Sequence, residues 1–126
     1  MKENTINLIL KKAKQDKEIL AVALFGSAVK NKEHRDIDMC LFLNKRKSNL
    51  EMTQKKLDFL TEINNKIDIQ IFQQLPIYIK IRIIKEGKIL LCKEEKSLYE
   101  IAFDTIKEFD SFKKLYEMYL SNIGNG

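Results

Sequence analysis

The sequence predicts an α/β domain in which helices flank a mixed β-sheet. Segments with helical periodicity alternate along the chain with short segments rich in strand-forming residues, which is typical of a layered domain. The composition, 44% hydrophobic and 33% charged, is that of an ordinary globular protein and excludes a disordered chain. A length of 126 residues is enough for one core, so we expect residues 1–126 to form a single domain.

Charge and cysteine content limit the possible partners and location. The formal charge of +5 suits an anionic ligand, but the lysines are scattered without interleaved aromatic residues, so we expect no direct nucleic-acid partner. Cys40 and Cys92 lie in separate apolar stretches, which favours buried free thiols in a reducing compartment. No segment has the pattern of a signal peptide or a membrane span. We therefore expect a cytoplasmic protein without a membrane partner.

The first two elements are a helix and a buried strand. A cap at Asn4 or Thr5 and apolar residues at helical spacing predict a helix over residues 4–16. Residues 19–25 are almost all apolar and predict a strand buried on both faces, which Gly26 and Ser27 terminate.

Two acidic residues open the second predicted strand, residues 37–43. Side chains two apart on a strand point to the same face, so Asp36 and Asp38 project together, opposite to the apolar residues between and after them. Two carboxylates held this close repel each other unless a cation neutralises them. His34, the only histidine, has no partner at metal-ligand spacing, so the pair favours an oxygen-preferring ion such as Mg²⁺.

Gly26 and Ser27 have the properties of a phosphate-binding turn. Glycine allows a phosphate to approach the backbone, the turn exposes N–H groups, and the serine hydroxyl is a further donor. A short helical turn predicted within residues 28–35 would direct its positive end to the same place. Carboxylates that bind a metal beside an anion site suggest phosphoryl or nucleotidyl transfer.

The middle of the chain predicts a helix and a third strand. Ser48 and Glu51 match a capping box that opens a helix, and Asn64 with Asn65 would end it. Residues 66–72 have the alternating pattern of a strand, with isoleucines on one face and Asp68 on the other. A buried acid needs a partner or a metal, so Asp68 would belong beside Asp36 and Asp38 if the strands meet. The alternative is an edge strand with one solvated face, which Gln70 supports.

The last third of the chain is ambiguous in one place. Residues 76–86 alternate like a strand, yet Pro76 and Gly87 frame a helix, and a short strand would follow over residues 88–92. A second capping box, Ser97 with Glu100, predicts a last helix that runs to about Leu120. We expect most of its apolar stripe to be core, with contact between its aromatic end and a partner protein as the alternative. The stripe consists of Leu98, Ile101, Ala102, Ile106, Phe109, Phe112, Tyr116 and Tyr119.

The ordered set of these motifs resembles a known family. An apolar strand that runs into Gly26-Ser27, then Asp36-Ile37-Asp38 opening a strand, then Asp68 within Ile67-Asp68-Ile69, resembles the minimal nucleotidyltransferases of the DNA polymerase β-like superfamily. Gly-Ser or Asp-x-Asp alone would be weak evidence, but the ordered set is much stronger, and the resemblance covers nearly the whole chain. It implies the polymerase β-like fold and favours a helix over residues 76–86.

The resemblance also implies an activity and a set of site residues. Members transfer a nucleoside monophosphate, here AMP from ATP, to a hydroxyl group. Asp36 and Asp38 would hold the Mg²⁺ that binds the triphosphate, and the two would share a second Mg²⁺ with Asp68. Gly26 and Ser27 would bind the β and γ phosphates. Lys30 lies where the family often has a basic residue that reaches the triphosphate, although an exposed loop lysine is the alternative. Arg35 departs from the family pattern, which often has serine there.

A domain of this size resembles the minimal nucleotidyltransferase antitoxins. These pair with HEPN ribonuclease toxins and transfer AMP to a toxin tyrosine, so the resemblance implies a protein acceptor and a complex of two different chains. One alternative is a non-enzymatic antitoxin module that neutralises its partner by docking through the last helix. Another alternative is the catalytic subunit of a nucleotidyltransferase that acts on a small molecule.

Overall fold

The structure, a computed structural model, describes residues 2–26, 37–61 and 67–124 of the chain. Within these residues there are four helices and four strands, with a 3-10 turn at Phe72–Gln74. Their bounds agree with the predicted elements to within a few residues, while the helical turn predicted within residues 28–35 lies outside the described residues. In chain order they are α1 (Lys2–Gln15), β1 (Ile19–Phe25), β2 (Ile37–Leu43), α2 (Asn49–Leu60), β3 (Ile67–Ile71), α3 (Ile77–Glu86), β4 (Lys88–Cys92) and α4 (Glu95–Gly124).

The four strands form one mixed sheet in the order β3-β2-β1-β4. β1 pairs antiparallel with both β2 and β4, whereas β2 and β3 are parallel. The two central strands, β1 and β2, are the most apolar, as expected for strands that are covered on both faces. β3 and β4 form the two edges of the sheet.

Helices cover both faces of the sheet and produce two core clusters. On one face Ile9 and Ala13 of α1 and Met52 and Phe59 of α2 pack against the isoleucines of β3 and alternate residues of β1 and β2. On the other face the 3-10 turn, α3 and α4 cover Cys40 and Phe42 of β2 and part of β1. The predicted fold class, a mixed sheet flanked by helices, is confirmed.

The ambiguous segment 76–86 is a helix. Ile81 and Ile83 of α3 are buried, because α3 packs its apolar side against the sheet and against α4. The helix predicted by the resemblance is therefore correct, and the strand-like alternation of its isoleucines is coincidental.

One of the two predicted capping boxes forms. The Glu51 N–H donates to the Ser48 hydroxyl at 3.2 Å and that hydroxyl donates to the Glu51 carboxylate at 3.0 Å, so α2 begins as predicted. The box predicted at Ser97 and Glu100 is wrong. α4 begins at Glu95, and the Ser97 hydroxyl donates to the carboxylate of Glu94 instead.

The outer part of α4 is not in the core. Its apolar stripe packs on the domain up to Phe109, but every described side chain from Asp110 onward is exposed. The prediction that most of the stripe is core is therefore wrong for Phe112, Tyr116 and Tyr119, and also for Ile106, which is 41% exposed. The helix extends about 45 Å at 1.5 Å per residue, which takes it beyond the layers it packs on. No described helix, including α4, is both long enough and apolar enough to cross a bilayer.

Candidate active site

Strand pairing places the glycine turn beside Asp38. Phe25, the last residue of β1, lies opposite Asp38 of β2, so Gly26 is adjacent to that carboxyl group. Gly26 has a φ of +75°, the left-handed region that side chains rarely adopt. A Cβ atom at this position would be 2.6 Å from Asp38 Oδ2. The absence of a side chain therefore allows the half-buried Asp38 carboxylate to lie against the turn.

The parallel pairing of β2 and β3 brings a second carboxylate to the same place. Asp38 and Asp68 occupy directly paired positions of the two strands. Their neighbours Ile37, Met39, Ile67 and Ile69 point to the opposite face, into the core with α1 and α2. The prediction that Asp68 lies beside Asp38 is confirmed. The edge-strand alternative is also correct in part, because β3 is an edge strand and Asp68 is exposed.

A hydrogen-bonded chain holds the Asp68 side chain. Gln70, two residues further along β3, donates from Nε2 to Asp68 Oδ2 at 3.0 Å. Lys56 of α2 donates from Nζ to Gln70 Oε1 at 3.3 Å. Sequence reasoning treated Gln70 only as a sign of a solvated strand face. The spacing of two residues between Asp68 and Gln70 predicts that both lie on one face of β3. The hydrogen bond from Lys56 of α2 could not be predicted from the sequence of the strand.

The two described carboxylates suit a hard divalent cation. They supply oxygen donors on one face, and the nearest thiol, Cys40, is fully buried, where burial raises its pKa and keeps it protonated. Within residues 2–26, 37–61 and 67–124 no group of three potential metal-binding side chains occurs. The predicted third acid, Asp36, and the predicted phosphate ligands Ser27 and Lys30 lie outside the described residues and remain predictions.

A cavity opens beside the Gly26 turn. It has a volume of about 100 Å³ and lies between the end of β1 and α3. Apolar side chains form most of the wall of this cavity. Arg82 also lines the cavity, and its Nε atom lies 3.6 Å from the Glu86 carboxylate. Sequence reasoning did not single out Arg82, because a charged residue on an amphipathic helix is normally a surface residue. The lining residues are Phe25, Gly26, Ile79, Arg82, Ile83 and Glu86.

Solved structures of similar fold include antitoxin complexes. A chain of a toxin–antitoxin complex with AMP-PNP superposes with a TM-score of 0.71 at 17% identity, covering 98% of both chains. A chain of an MntA–HepT toxin–antitoxin structure superposes with a TM-score of 0.68 at 14% identity. The superposition covers 96% of this chain and 97% of that chain. A chain from the complex of the tri-AMPylated Shewanella oneidensis HEPN toxin with MNT antitoxin superposes with a TM-score of 0.67 at 15% identity. The superposition covers 96% of this chain and 94% of that chain. At these identities the likeness establishes the fold.

Sequence comparison establishes the family. A Methanocaldococcus jannaschii protein named as a protein adenylyltransferase is 33% identical over 101 residues, which are 79% of this chain and 70% of the relative. Residues 6–96 match the family described as polymerase beta, nucleotidyltransferase. The matched range includes the Gly26 turn and both described carboxylates. The chain is therefore a nucleotidyltransferase and belongs to the polymerase beta nucleotidyltransferase family.

Proposed function

We propose that this protein transfers AMP from ATP to a hydroxyl group of a partner protein. The observation that carries the proposal is the alignment of Asp38 and Asp68 on neighbouring strands, directly beside a glycine turn with an open backbone. Carboxylates next to an anion-binding turn match the needs of phosphoryl chemistry, which depends on positioning and charge stabilisation.

The proposed reaction is a displacement at the α-phosphorus of ATP. The acceptor oxygen forms a bond to the α-phosphorus, the bond from the α-phosphorus to the bridging oxygen breaks, pyrophosphate leaves with that oxygen, and the acceptor hydroxyl gives its proton to water. Asp38 and Asp68, with Asp36, would hold two Mg²⁺ ions, and bound Mg²⁺ supplies charge neutralisation at the phosphates. Gly26 and Ser27 would orient the β and γ phosphates, with Lys30 within reach of the triphosphate.

The proposed acceptor is a tyrosine of a HEPN ribonuclease toxin, which makes this chain the antitoxin. The name of the Methanocaldococcus relative, protein adenylyltransferase, supports a protein acceptor. The structures of similar fold support the partner class, since they include an AMPylated HEPN toxin bound to its antitoxin. AMP-PNP in another of these complexes supports ATP as the donor.

Label transfer tests the activity. The chain is incubated with α-³²P-ATP, Mg²⁺ and a co-expressed HEPN toxin, and label in the toxin band is measured. We expect Asp38→Asn and Asp68→Asn each to reduce transfer about 100-fold or more, because each removes several kcal/mol of charge stabilisation. Asp104→Asn is the matched control, because Asp104 is exposed on α4, away from both acids, and should leave transfer unchanged.

Folding and acceptor identity are controlled separately. The two acids are exposed or half-buried, so melting temperatures should stay within a few degrees of the wild-type value. Full transfer by Asp38→Asn would contradict the proposed role of this residue. Label that appears in a small molecule and never in protein would contradict the protein acceptor.

A second candidate function is neutralisation by docking alone, and the outer half of α4 favours it. Phe112, Leu115, Tyr116, Tyr119 and Ile123 are all 45–66% exposed on a helix that continues past the domain. We propose that the toxin covers this surface in the complex. If docking alone were sufficient, Asp38→Asn would still protect cells that co-express the toxin, and a chain truncated after Ser111 would not. Protection that requires Asp38 would exclude docking as the whole mechanism.

A further inference from the structure

We propose that Gln70, oriented by Lys56, is a positioning residue that holds the Asp68 carboxylate ready for a divalent cation. This inference rests on the proposed function, because it assumes that Asp68 binds metal. It adds two residues, one on β3 and one on α2, to the set that controls the site.

The orientation of the Gln70 amide follows from its two neighbours. A lysine ammonium is only a donor, so the oxygen Oε1 of Gln70 must face Lys56, and the distance is 3.3 Å. An ionised carboxylate is only an acceptor, so the nitrogen Nε2 must face Asp68, at 3.0 Å. An amide between an obligate donor and an obligate acceptor has one satisfactory orientation. The contacts therefore determine the geometry without ambiguity between the amide oxygen and nitrogen.

Asp68 needs such support because of its position. It is exposed on an edge strand, where a side chain keeps most of its rotational freedom. Gln70 and Lys56 are each half-buried, and α2, which carries Lys56, packs beside β3. The hydrogen bond from Gln70 therefore restrains the Asp68 carboxylate through a chain that is anchored in a packed helix. A ligand that is already oriented loses less entropy when a cation binds.

The amide link also separates two charges that would otherwise compete with a metal. A lysine paired directly with Asp68 would neutralise the carboxylate and oppose a cation. Gln70 transmits the restraint from Lys56 as a neutral donor, so Lys56 does not pair directly with the Asp68 carboxylate. This arrangement resembles the outer hydrogen-bond partners that orient metal ligands in general.

Mn²⁺ binding to the full chain tests the inference directly. Mn²⁺ alone is titrated into wild-type protein, Gln70→Met, Lys56→Met, the double variant and Asp68→Asn, and free Mn²⁺ is followed by electron paramagnetic resonance. We expect Gln70→Met to raise the Mn²⁺ dissociation constant about tenfold, the usual size for loss of an outer partner. Lys56→Met should have a smaller effect in the same direction. The double variant should match Gln70→Met, because Lys56 acts through Gln70.

A matched control and a second measurement separate positioning from stability. Gln74→Met makes the same chemical change at another half-buried glutamine, which bonds to Asn49 and Thr53, and should leave Mn²⁺ affinity within about twofold of wild type. In the label-transfer assay, Gln70→Met should raise the Mg²⁺ concentration for half-maximal rate and leave the rate at saturating Mg²⁺ nearly unchanged. A merely structural role would lower the melting temperature without moving the Mg²⁺ requirement.

Two outcomes would overturn the inference in distinguishable ways. Weak Mn²⁺ binding by Asp68→Asn with normal binding by Gln70→Met would show that Asp68 binds metal without help from Gln70, and the proposed function would stand. Unchanged Mn²⁺ binding by Asp68→Asn would remove the metal role of Asp68, and the role of Gln70 would fail with it.

Discussion

Replacement of Gly26 would disturb both its turn and the carboxylate beside it. Its φ of +75° would cost a side chain about 1–2 kcal/mol, and a Cβ atom would lie 2.6 Å from Asp38 Oδ2. The first effect acts on the turn and the second on the carboxylate. Stability and the position of Asp38 therefore depend on the same glycine.

We expect Gly26→Ala to reduce label transfer about tenfold or more and to lower stability by about 1–2 kcal/mol. The reason for the loss of transfer is displacement of Asp38 by the added methyl group. Transfer is measured per folded molecule, and stability by urea denaturation. Gly87→Ala is the control, since its Cβ would lie 2.5 Å from the Ile83 carbonyl oxygen and would not press on either acid. It should destabilise the fold without lowering transfer per folded molecule; equal losses in both variants would contradict the link to Asp38.

At the residue scale, the positions of side chains along one strand could be predicted from the sequence. Contacts between side chains of different elements could not. The alternation within β2 and within β3 predicted that each acid lies opposite to the apolar residues of its own strand, and the pairing of the strands brings Asp38 and Asp68 together. The hydrogen bond that links Gln70 to Lys56 depends on how α2 lies against the sheet edge. No pattern within either element encodes that packing.

At the scale of single elements, the two predicted capping boxes illustrate how local competition decides a helix start. Ser48 has Glu51 three residues ahead and no acid immediately before it, so the box forms. Glu94 lies three residues before Ser97 and its carboxylate accepts a hydrogen bond from the Ser97 hydroxyl, so Ser97 lies within the first turn of an α4 that begins at Glu95. The same motif is therefore a cap in one place and part of the first turn in the other.

We expect Ser48→Ala to lower the free energy of unfolding by about 1 kcal/mol. The reason is that the Ser48 hydroxyl loses its hydrogen bonds with the N–H and the carboxylate of Glu51 at the start of α2. Ser97→Ala is the matched comparison and should change it by less than about 0.5 kcal/mol, since Ser97 does not cap α4. Urea denaturation of both variants measures the difference. A larger effect at Ser97 than at Ser48 would contradict the assignment of the α4 start.

The last helix shows a different limit of sequence reasoning. The apolar stripe predicted on α4 does run along one face, and its inner part packs on the domain as expected. Periodicity reports which face of a helix is apolar, but not where the neighbouring layer stops. The outer stripe, from Phe112 onward, is exposed for that reason, although its aromatic rings at Phe112 and Tyr116 stack on each other with centroids 6.2 Å apart.

At the scale of the whole molecule, strand order was the part of the fold that the sequence left undetermined. Alternating helices and strands predicted a layered domain, and the family resemblance supplied its topology. The residues of β4 do not indicate that it pairs with β1, which places β3 and β4 at opposite edges. Long-range pairing of this kind depends on how the helices fill both faces at once.

A charged cluster joins three separate parts of the chain. Glu18, just before β1, contacts Lys47 after β2 and Lys55 of α2, the latter at 2.9 Å. The side-chain hydrogen bond from Lys47, and then the one from Lys55, lowers the pKa of Glu18 from 4.5 to about 2. A carboxyl whose pKa is lower in the folded than in the unfolded state stabilises the fold above the unfolded pKa, and that contribution disappears as the pH falls through the folded pKa.

We therefore expect the melting temperature of the wild-type protein to fall more steeply than that of Glu18→Gln between about pH 4.5 and pH 2. Above this range the wild-type protein should be the more stable of the two. Thermal unfolding at half-unit pH intervals measures both curves. Glu117→Gln, on the exposed outer part of α4, controls for the general effect of removing one carboxyl. Parallel curves for wild type and Glu18→Gln would show that this cluster does not contribute.

The exposed end of α4 has a consequence for how proteins of this kind can diversify. None of the described side chains after Thr105 is fully buried, so substitutions over residues 112–123 change surface chemistry without opening a cavity in either core. The residues around Asp38 and Asp68, in contrast, are held by strand pairing and by both packed layers. Mutation can therefore alter the outer helix without damage to either core while the end of the sheet that carries Asp38 and Asp68 remains intact, which would allow one chemistry to be retained as partners change.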